Sequence, residues 1–599
     1  MRQLGTAITF LLACILPVGA QGETKERYNV LLILADDLNS RIAPLGDTDA
    51  ITPNLTRLAA RSITYSNCLA QYALCAPSRA SLLTGLYPWS LGVHQGGGAH
   101  AGADDVVPRW QWLSEYFRSQ GFWAGSYGKV EHDPQPEKWD ELVPLRVSVS
   151  GSLISSRDFA GYKGITGVTT HLVYDGDPDL FTDGLAASRA IEAMGRALEA
   201  DENFFVAAGL YQPHTPWIVQ SGVSDQYDAA SLRLPGDPAG SYEIWPSYAY
   251  PRGKATDERP LMSEAEAREL LKAYYGSVSM MDHAVGQLLD FVEARGLWDN
   301  TVIVFASDNG FSLLEHRHLF SKRNYSRESL HVPLMIHNPG MNNEGEVCER
   351  QVGLIDIFPT VVELAGAAPY PQPLDGQSLA PLLENPSSAW NKPALSVLTY
   401  PSSSSPRFRI AQLGSWKLVE GPWDRDPAWF RRAMDHANDP FEHFPVRPDS
   451  EGLEVDFSPM ERALTAIPFQ QGVFHVGKPD NPADRDGDGI SDEVELGLQA
   501  LGFSPFVANP GMVSRFREQG LSISRDPELG IRLSLEGFPV NEERFKPYHQ
   551  VPLALERSQD LLNWQAVEGG PVLLDRNNLG WVENPGVASK RFYRLRIRP

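Results

Sequence analysis

Cysteine is scarce: four residues in 599, at positions 14, 68, 75 and 348. So few do not make a disulfide framework. Cys68 and Cys348, the two outside the leader and the motif described below, are read as buried thiols, although an oxidising compartment would let them pair. Positive charge is also in deficit. Lys and Arg number 52 against 75 Asp and Glu, a formal net charge of −23. That argues against nucleic acid as a partner, which calls for a basic patch, and it means that an anionic substrate must be drawn in by local cations. Beyond residue 20 no apolar run is long enough to span a bilayer.

What is present begins with an export signal. Arg2 precedes an apolar run from Leu4 to Leu16, then Pro17 and the small-residue ending Val18-Gly19-Ala20, the pattern of a secretory signal peptide cleaved after Ala20. Leu11-Leu12-Ala13-Cys14 offers a second reading, lipidation at Cys14. Either way the protein is expected outside the cytoplasm, periplasmic or extracellular. At this length more than one hydrophobic core is expected, and 42% hydrophobic residues with 14 Trp supply the material.

Val30 to Ala35 is an unbroken apolar run that stops at Asp36-Asp37, and Thr301 to Ala306 is another that stops at Ser307-Asp308-Asn309-Gly310. Such runs are strands buried on both faces. Phe204 to Leu210 and Val332 to Ile336 read as further members of the same sheet. Helical patterns lie between them, one from Asp183 to Ala200 and one opening at Ser263 with Glu266 placed for a capping box. Alternation of this kind implies an α/β fold with a mostly parallel sheet, whose ligands sit beyond the carboxyl ends of the strands. Both acidic pairs fall there.

Each chemical motif has an ordinary reading when taken alone. Asp36-Asp37 could cap a helix, and Cys75 could be a buried cysteine before one. His132 and His214 could be structural, and Glu315 to Lys322 could be a solvated loop. Together they are harder to dismiss. Two oxygen-bearing pairs at strand ends are hard ligands that suit Ca²⁺ or Mg²⁺, with an amide and flexible coordination leaning towards Ca²⁺.

Cys75-Ala76-Pro77-Ser78-Arg79, Gly128-Lys129-Val130 with His132, Pro213-His214 and Asp439-Pro440-Phe441-Glu442 resemble the motifs of type I sulfatases of the alkaline phosphatase superfamily. Within it residues 28–445 are most similar to iduronate-2-sulfatase-like enzymes. The resemblance implies that Cys75 is oxidised to formylglycine by a maturase, and that Asp36, Asp37, Asp308 and Asn309 bind Ca²⁺, with residue 75 completing the site. It implies that Arg79 and Lys129 hold the formylglycine hydrate and that His132 assists its deprotonation. His214 and Lys322 would bind the sulfate and protonate the leaving alcohol. The activity implied is hydrolysis of sulfate monoesters on a sulfated saccharide through a sulfo-enzyme intermediate. Phosphonate or phosphate monoester hydrolysis on the same scaffold is the alternative, or carbohydrate binding without catalysis if Cys75 stays a thiol. Two departures stand out: Gln212 where relatives often carry lysine, and a stretch from Asp308 to Lys322 that is one residue longer than the family pattern.

The expected organisation is a signal peptide (1–20), a catalytic domain (21–375) and a smaller α/β subdomain (376–475), followed by a linker (476–515) and a β-sandwich-like module (516–599). The linker carries Asp484, Asp486, Asp488, Ile490, Asp492 and Glu495 at the spacing of an EF-hand loop, with Gly489 at its sixth position. A second, structural Ca²⁺ is expected there. Asn324-Tyr325-Ser326 is a glycosylation sequon beside Lys322, where a glycan would obstruct the site.

Overall fold

The computed structural model describes residues 27–93, 110–145, 171–238, 263–399, 406–421, 430–450 and 452–467, together with strands within 148–153 and 522–597. The signal peptide, the calcium loop and all six of its expected ligands lie outside the described residues.

Nine strands make the main sheet: β1 (Asn29–Ala35), β2 (Ile63–Leu69), β3 (Trp123–Gly128), β4 (Glu141–Val143), β5 (Phe204–Gly209), β6 (Thr301–Ser307), β7 (His331–His337), β8 (Val347–Cys348) and β9 (Val352–Gly353). Their order is β8-β2-β7-β6-β1-β5-β3-β4, with β9 also on β2. β1 lies parallel between β6 and β5, and all seven of its residues are buried, as its unbroken apolar run requires. β7 alone runs against its neighbours, so the sheet is mixed and mostly parallel.

Two apolar layers cover the sheet, because alternate residues of each strand face opposite sides. Leu31, Ile33 and Ala35 face helices α2 (Thr182–Glu199) and α3 (Glu264–Ala294). Val30, Leu32 and Leu34 face the layer that includes α1 (Cys75–Thr84). Ser263 caps α3, and Glu266 completes the capping box. The residues at helical spacing along it, from Leu270 to Val292, are buried.

Strands β10 (Ala394–Thr399), β11 (Pro406–Leu413), β12 (Trp416–Gly421) and β13 (Phe430–Asp435) form an antiparallel sheet, packed by α4 (Ser458–Thr465). Leu379, Leu382 and Trp390 belong to the core of the main sheet. Cys68 and Cys348 are buried free thiols. In the tail two antiparallel sheets occur, one holding Ser522–Asp526, Gly530–Glu536, Asn578–Glu583 and Val572–Asp575, the other Leu553–Ser558, Phe592–Ile597 and Gln565–Ala566.

Candidate active site

Parallel pairing of β1 with β6 sets Ala35 opposite Ser307, so the residues that follow leave the same edge side by side. Asp36, Asp37, Asp308 and Asn309 are all buried there. The Asp37 backbone N–H donates to Asp308 Oδ1 at 3.2 Å, and Asn309 Nδ2 donates to Asp37 Oδ1 at 2.7 Å. Asp37 sits at φ +65, in the left-handed region that short polar side chains tolerate.

Cys75 is the first residue of α1 and is 2% exposed. Lys322 Nζ lies 2.8 Å from its Sγ and 2.6 Å from Asp37 Oδ1, bridging thiol and carboxylate. Lys129 reaches in from the end of β3, paired with Asp36 and 4.0 Å from the same sulfur. The His132 ring reaches the Cys75 side chain as well. Burial opposes ionisation of Cys75, but Lys129 and Lys322 outweigh it and hold the thiol well below its usual range.

His214 enters with Nε2 3.8 Å from Asp37 Oδ2. Its Nδ1 lies 2.6 Å from the Thr215 carbonyl, which accepts only, so Nδ1 carries a proton and Nε2 faces the site. Burial disfavours the charged ring, but Asp36 and Asp37 prevail and raise its pKa.

Arg79 stands one turn after Cys75 and is wholly buried. Its Nε donates to Asp308 Oδ2 at 2.7 Å, while its other nitrogens donate to the carbonyls of Ala35, Lys129 and Val130. The resemblance gives Arg79 to the formylglycine hydrate. In the structure its hydrogen bonds run to the Asp308 carboxylate and to carbonyls at the strand ends, with Asp36 Oδ1 3.7 Å away.

Three carboxylates converge here. Burial pushes Asp308 up to about 8 despite Arg79, aided by Asp36 and the Cys75 thiolate. Asp37 is also raised, by burial first. Asp36 alone is held low, because Lys129, His214, Arg79 and Lys322 together overcome its burial. Ion pairs aside, both Asp36 oxygens and Asn309 Oδ1 are buried without a hydrogen-bond donor. Donor atoms of Asp36, Asp37, Cys75 and His214 lie within 4.8 Å of one another. Clustered hard oxygens that lack hydrogen-bond donors fit a divalent cation.

Sequence reasoning missed the frame of the site. Asp183, at the start of α2, accepts from the backbone N–H of Tyr211 at 2.6 Å and of Gln212 at 3.0 Å, fixing the turn before His214. The Lys129 ammonium stands 5.4 Å from the Tyr211 ring centre. Only their nearness to the Pro-His motif could have pointed to them. Gln212 turns away, its Oε1 accepting from Ser277 of α3. His316, in the longer stretch before Lys322, is buried with Nε2 3.8 Å from Glu328. The side chains of Arg317 and His318 lie outside the described residues. The Glu315 carboxylate is buried on Arg41 at 2.7 Å, so this segment is not the solvated loop of the ordinary reading. A cavity of about 460 Å³ beside Arg41 and Phe441 contains none of the expected catalytic residues.

Carboxylates at adjacent ends of parallel strands thus face the helix N-terminus that carries Cys75. A sulfatase family model matches residues 28–367, and a model for the C-terminal part of N-sulphoglucosamine sulphohydrolase matches 315–460. The chain belongs to the sulfatase family and is a sulfuric ester hydrolase. It is 28% identical to human iduronate 2-sulfatase over 57% of this chain and 70% of that protein. It is 27% identical to a sulfatase of Formosa agariphila, over 58% of this chain and 70% of the relative. In fold it is similar to the phosphonate monoester hydrolase of Agrobacterium radiobacter, with TM-score 0.60 and 22% identity over 73% of this chain and 95% of the other. It is likewise similar to BT4656, solved with D-glucosamine-2-N,6-O-disulfate, with TM-score 0.55 and 20% identity over 74% and 96%.

Proposed function

We propose that this protein is an exported sulfatase that removes sulfate from a saccharide, with Cys75 matured to formylglycine and Ca²⁺ held by Asp36, Asp37, Asp308 and Asn309. The observation that carries the reading is Cys75 at a buried helix start, 2.8 Å from Lys322 and 4.0 Å from Lys129, beside the strand-end carboxylates. Two relatives are named for iduronate and two for ulvan, which are saccharides, against one for choline, which is not, so a sulfated saccharide is the favoured class. The sugar is left open.

Bound Ca²⁺ would neutralise sulfate charge, and the aldehyde hydrate of formylglycine would supply the attacking hydroxyl. Lys322 and Lys129 are placed to bind sulfate oxygens as negative charge shifts during cleavage. His214, with its raised pKa and Nε2 facing the site, is placed to give a proton to the departing sugar oxygen, an effect worth typically about 10²–10⁴-fold. His132 is placed to take a proton from the hydroxyl at residue 75.

The test is peptide mass and sulfate release together, on protein made with and without a formylglycine-generating partner. An aldehyde or its hydrate at residue 75, with sulfate release lost in Cys75→Ala, is the expected result. A thiol under both conditions would sink the formylglycine reading. Phosphonate and phosphate esters assayed alongside separate this activity from that of the phosphonate hydrolases sharing the fold.

A further inference from the structure

Lys322 has to be held in place by something, because the backbone around it is not relaxed. Leu314, His316 and Arg323 all have positive φ, at +77, +51 and +69. Non-glycine residues in that region persist only where the surroundings over-determine them.

One end of the segment is tied to the catalytic turn: Arg323 N–H donates to the Ala73 carbonyl at 3.1 Å, two residues before Cys75. The other end is tied to the C-terminal antiparallel sheet. Lys417, on β12 and 1% exposed, donates from Nζ to the Tyr325 carbonyl at 2.7 Å and is paired with Glu442. Glu442 is wholly buried and itself at φ +57. Its Oε2 accepts from the Arg327 N–H at 3.1 Å, and its Oε1 lies 2.7 Å from His436 Nε2. From the Asp439–Glu442 turn, the Pro440 carbonyl accepts from Arg327 Nη1 at 3.1 Å.

We infer that Lys417 and Glu442 are positioning residues for Lys322: a buried ion pair between the second sheet and the turn that follows it, which clamps residues 325–327 and so fixes where the Lys322 ammonium meets Cys75. Neither touches the reacting atoms. A buried pair contributes little net stability, since desolvation offsets attraction. Its use here is registry between the second sheet and the catalytic edge. This rests on the catalytic role proposed for Lys322.

The clamp predicts coupling. Misplacing a catalytic group by about 1 Å costs on the order of 10²-fold in rate. Lys417→Met and Glu442→Gln should each lower kcat by about that factor with a smaller change in KM. Steady-state kinetics on a sulfate ester, in matured full-length protein, would compare each with Lys322→Ala and with the double variants. If the clamp works through Lys322, adding Lys417→Met to Lys322→Ala costs almost nothing further, and so does adding Glu442→Gln. Losses that multiply in the double variants would mean a general packing role and overturn the inference alone. Wild-type kinetics in both single variants would overturn it too. Wild-type kinetics in Lys322→Ala would overturn it together with the proposed mechanism. Glu442→Gln keeps the size and one acceptor, so it carries the test if Lys417→Met fails to fold by circular dichroism.

Discussion

Arg79 shows what a single side chain does in this site. Wholly buried, it serves Asp308 and three strand-end carbonyls at once, a fork that lysine cannot reproduce. Even so burial leaves Asp308 raised to about 8, and both Asp36 oxygens lack a hydrogen-bond donor, ion pairs aside, so the wall can still take a cation. Adding Ca²⁺ should therefore raise the melting temperature and chelation should lower it, with stabilisation of about 2.7 kcal/mol at a hundredfold excess over Kd. Differential scanning fluorimetry with EDTA, Ca²⁺ and Mg²⁺ reads this directly, and a melting point indifferent to all three would contradict the metal site. Asn324 makes the opposite point about reading motifs. Its side chain donates to Ser312 Oγ at 3.2 Å and accepts from the Ser326 N–H at 2.9 Å, and it is 2% exposed. The sequon is a buried turn, with no room for a glycan.

At the level of elements, the site depends on how closely β3 and β5 approach at their ends. Gly128 has φ +83, and a Cβ on Gly209 would strike the backbone of Lys129. Gly209→Ala should push Lys129 away from Asp36 and Cys75. The expected result is a loss of kcat on the order of 10²-fold in protein that still folds, seen by kinetics beside circular dichroism. β7 carries a different liability. His331 is buried with Nε2 2.6 Å from the Ser66 carbonyl, and burial, helped by Arg327, depresses its pKa to about 3. The unfolded chain takes up a proton near pH 6.5 while the native state refuses it until about 3. Stability from the neutral ring is therefore fully present above pH 6.5 and is lost as pH falls towards 3. Urea midpoints at pH 7 and 5 should fall more in wild type than in His331→Gln.

For the whole molecule, the catalytic edge is assembled from two units. The main sheet supplies the carboxylates, Cys75, Lys129 and His214, while the second sheet braces the segment of Lys322 through Lys417 and Glu442. The tail strands beyond residue 521 pair only with one another among the described residues. A chain ended after residue 467 should keep the kcat and KM of the full-length enzyme. A large loss on truncation would show that the tail contributes to the site or to the fold beneath it.

The chain order alone told that Asp36-Asp37 and Asp308-Asn309 end buried strands, because an unbroken apolar run has few other uses, and their chemistry named hard-oxygen metal binding. It also exposed Cys75, Lys129, His132, His214 and Lys322, since family motifs are local. It could not tell that β1 and β6 are parallel neighbours, that β7 runs the other way, or that His316 turns from the site to Glu328. Nor could it tell that Arg79 spends its donors on Asp308 and the strand ends. Those depend on contacts between residues up to hundreds of positions apart, which no local pattern encodes. Residue type thus settled the chemistry available, and packing decided which groups meet.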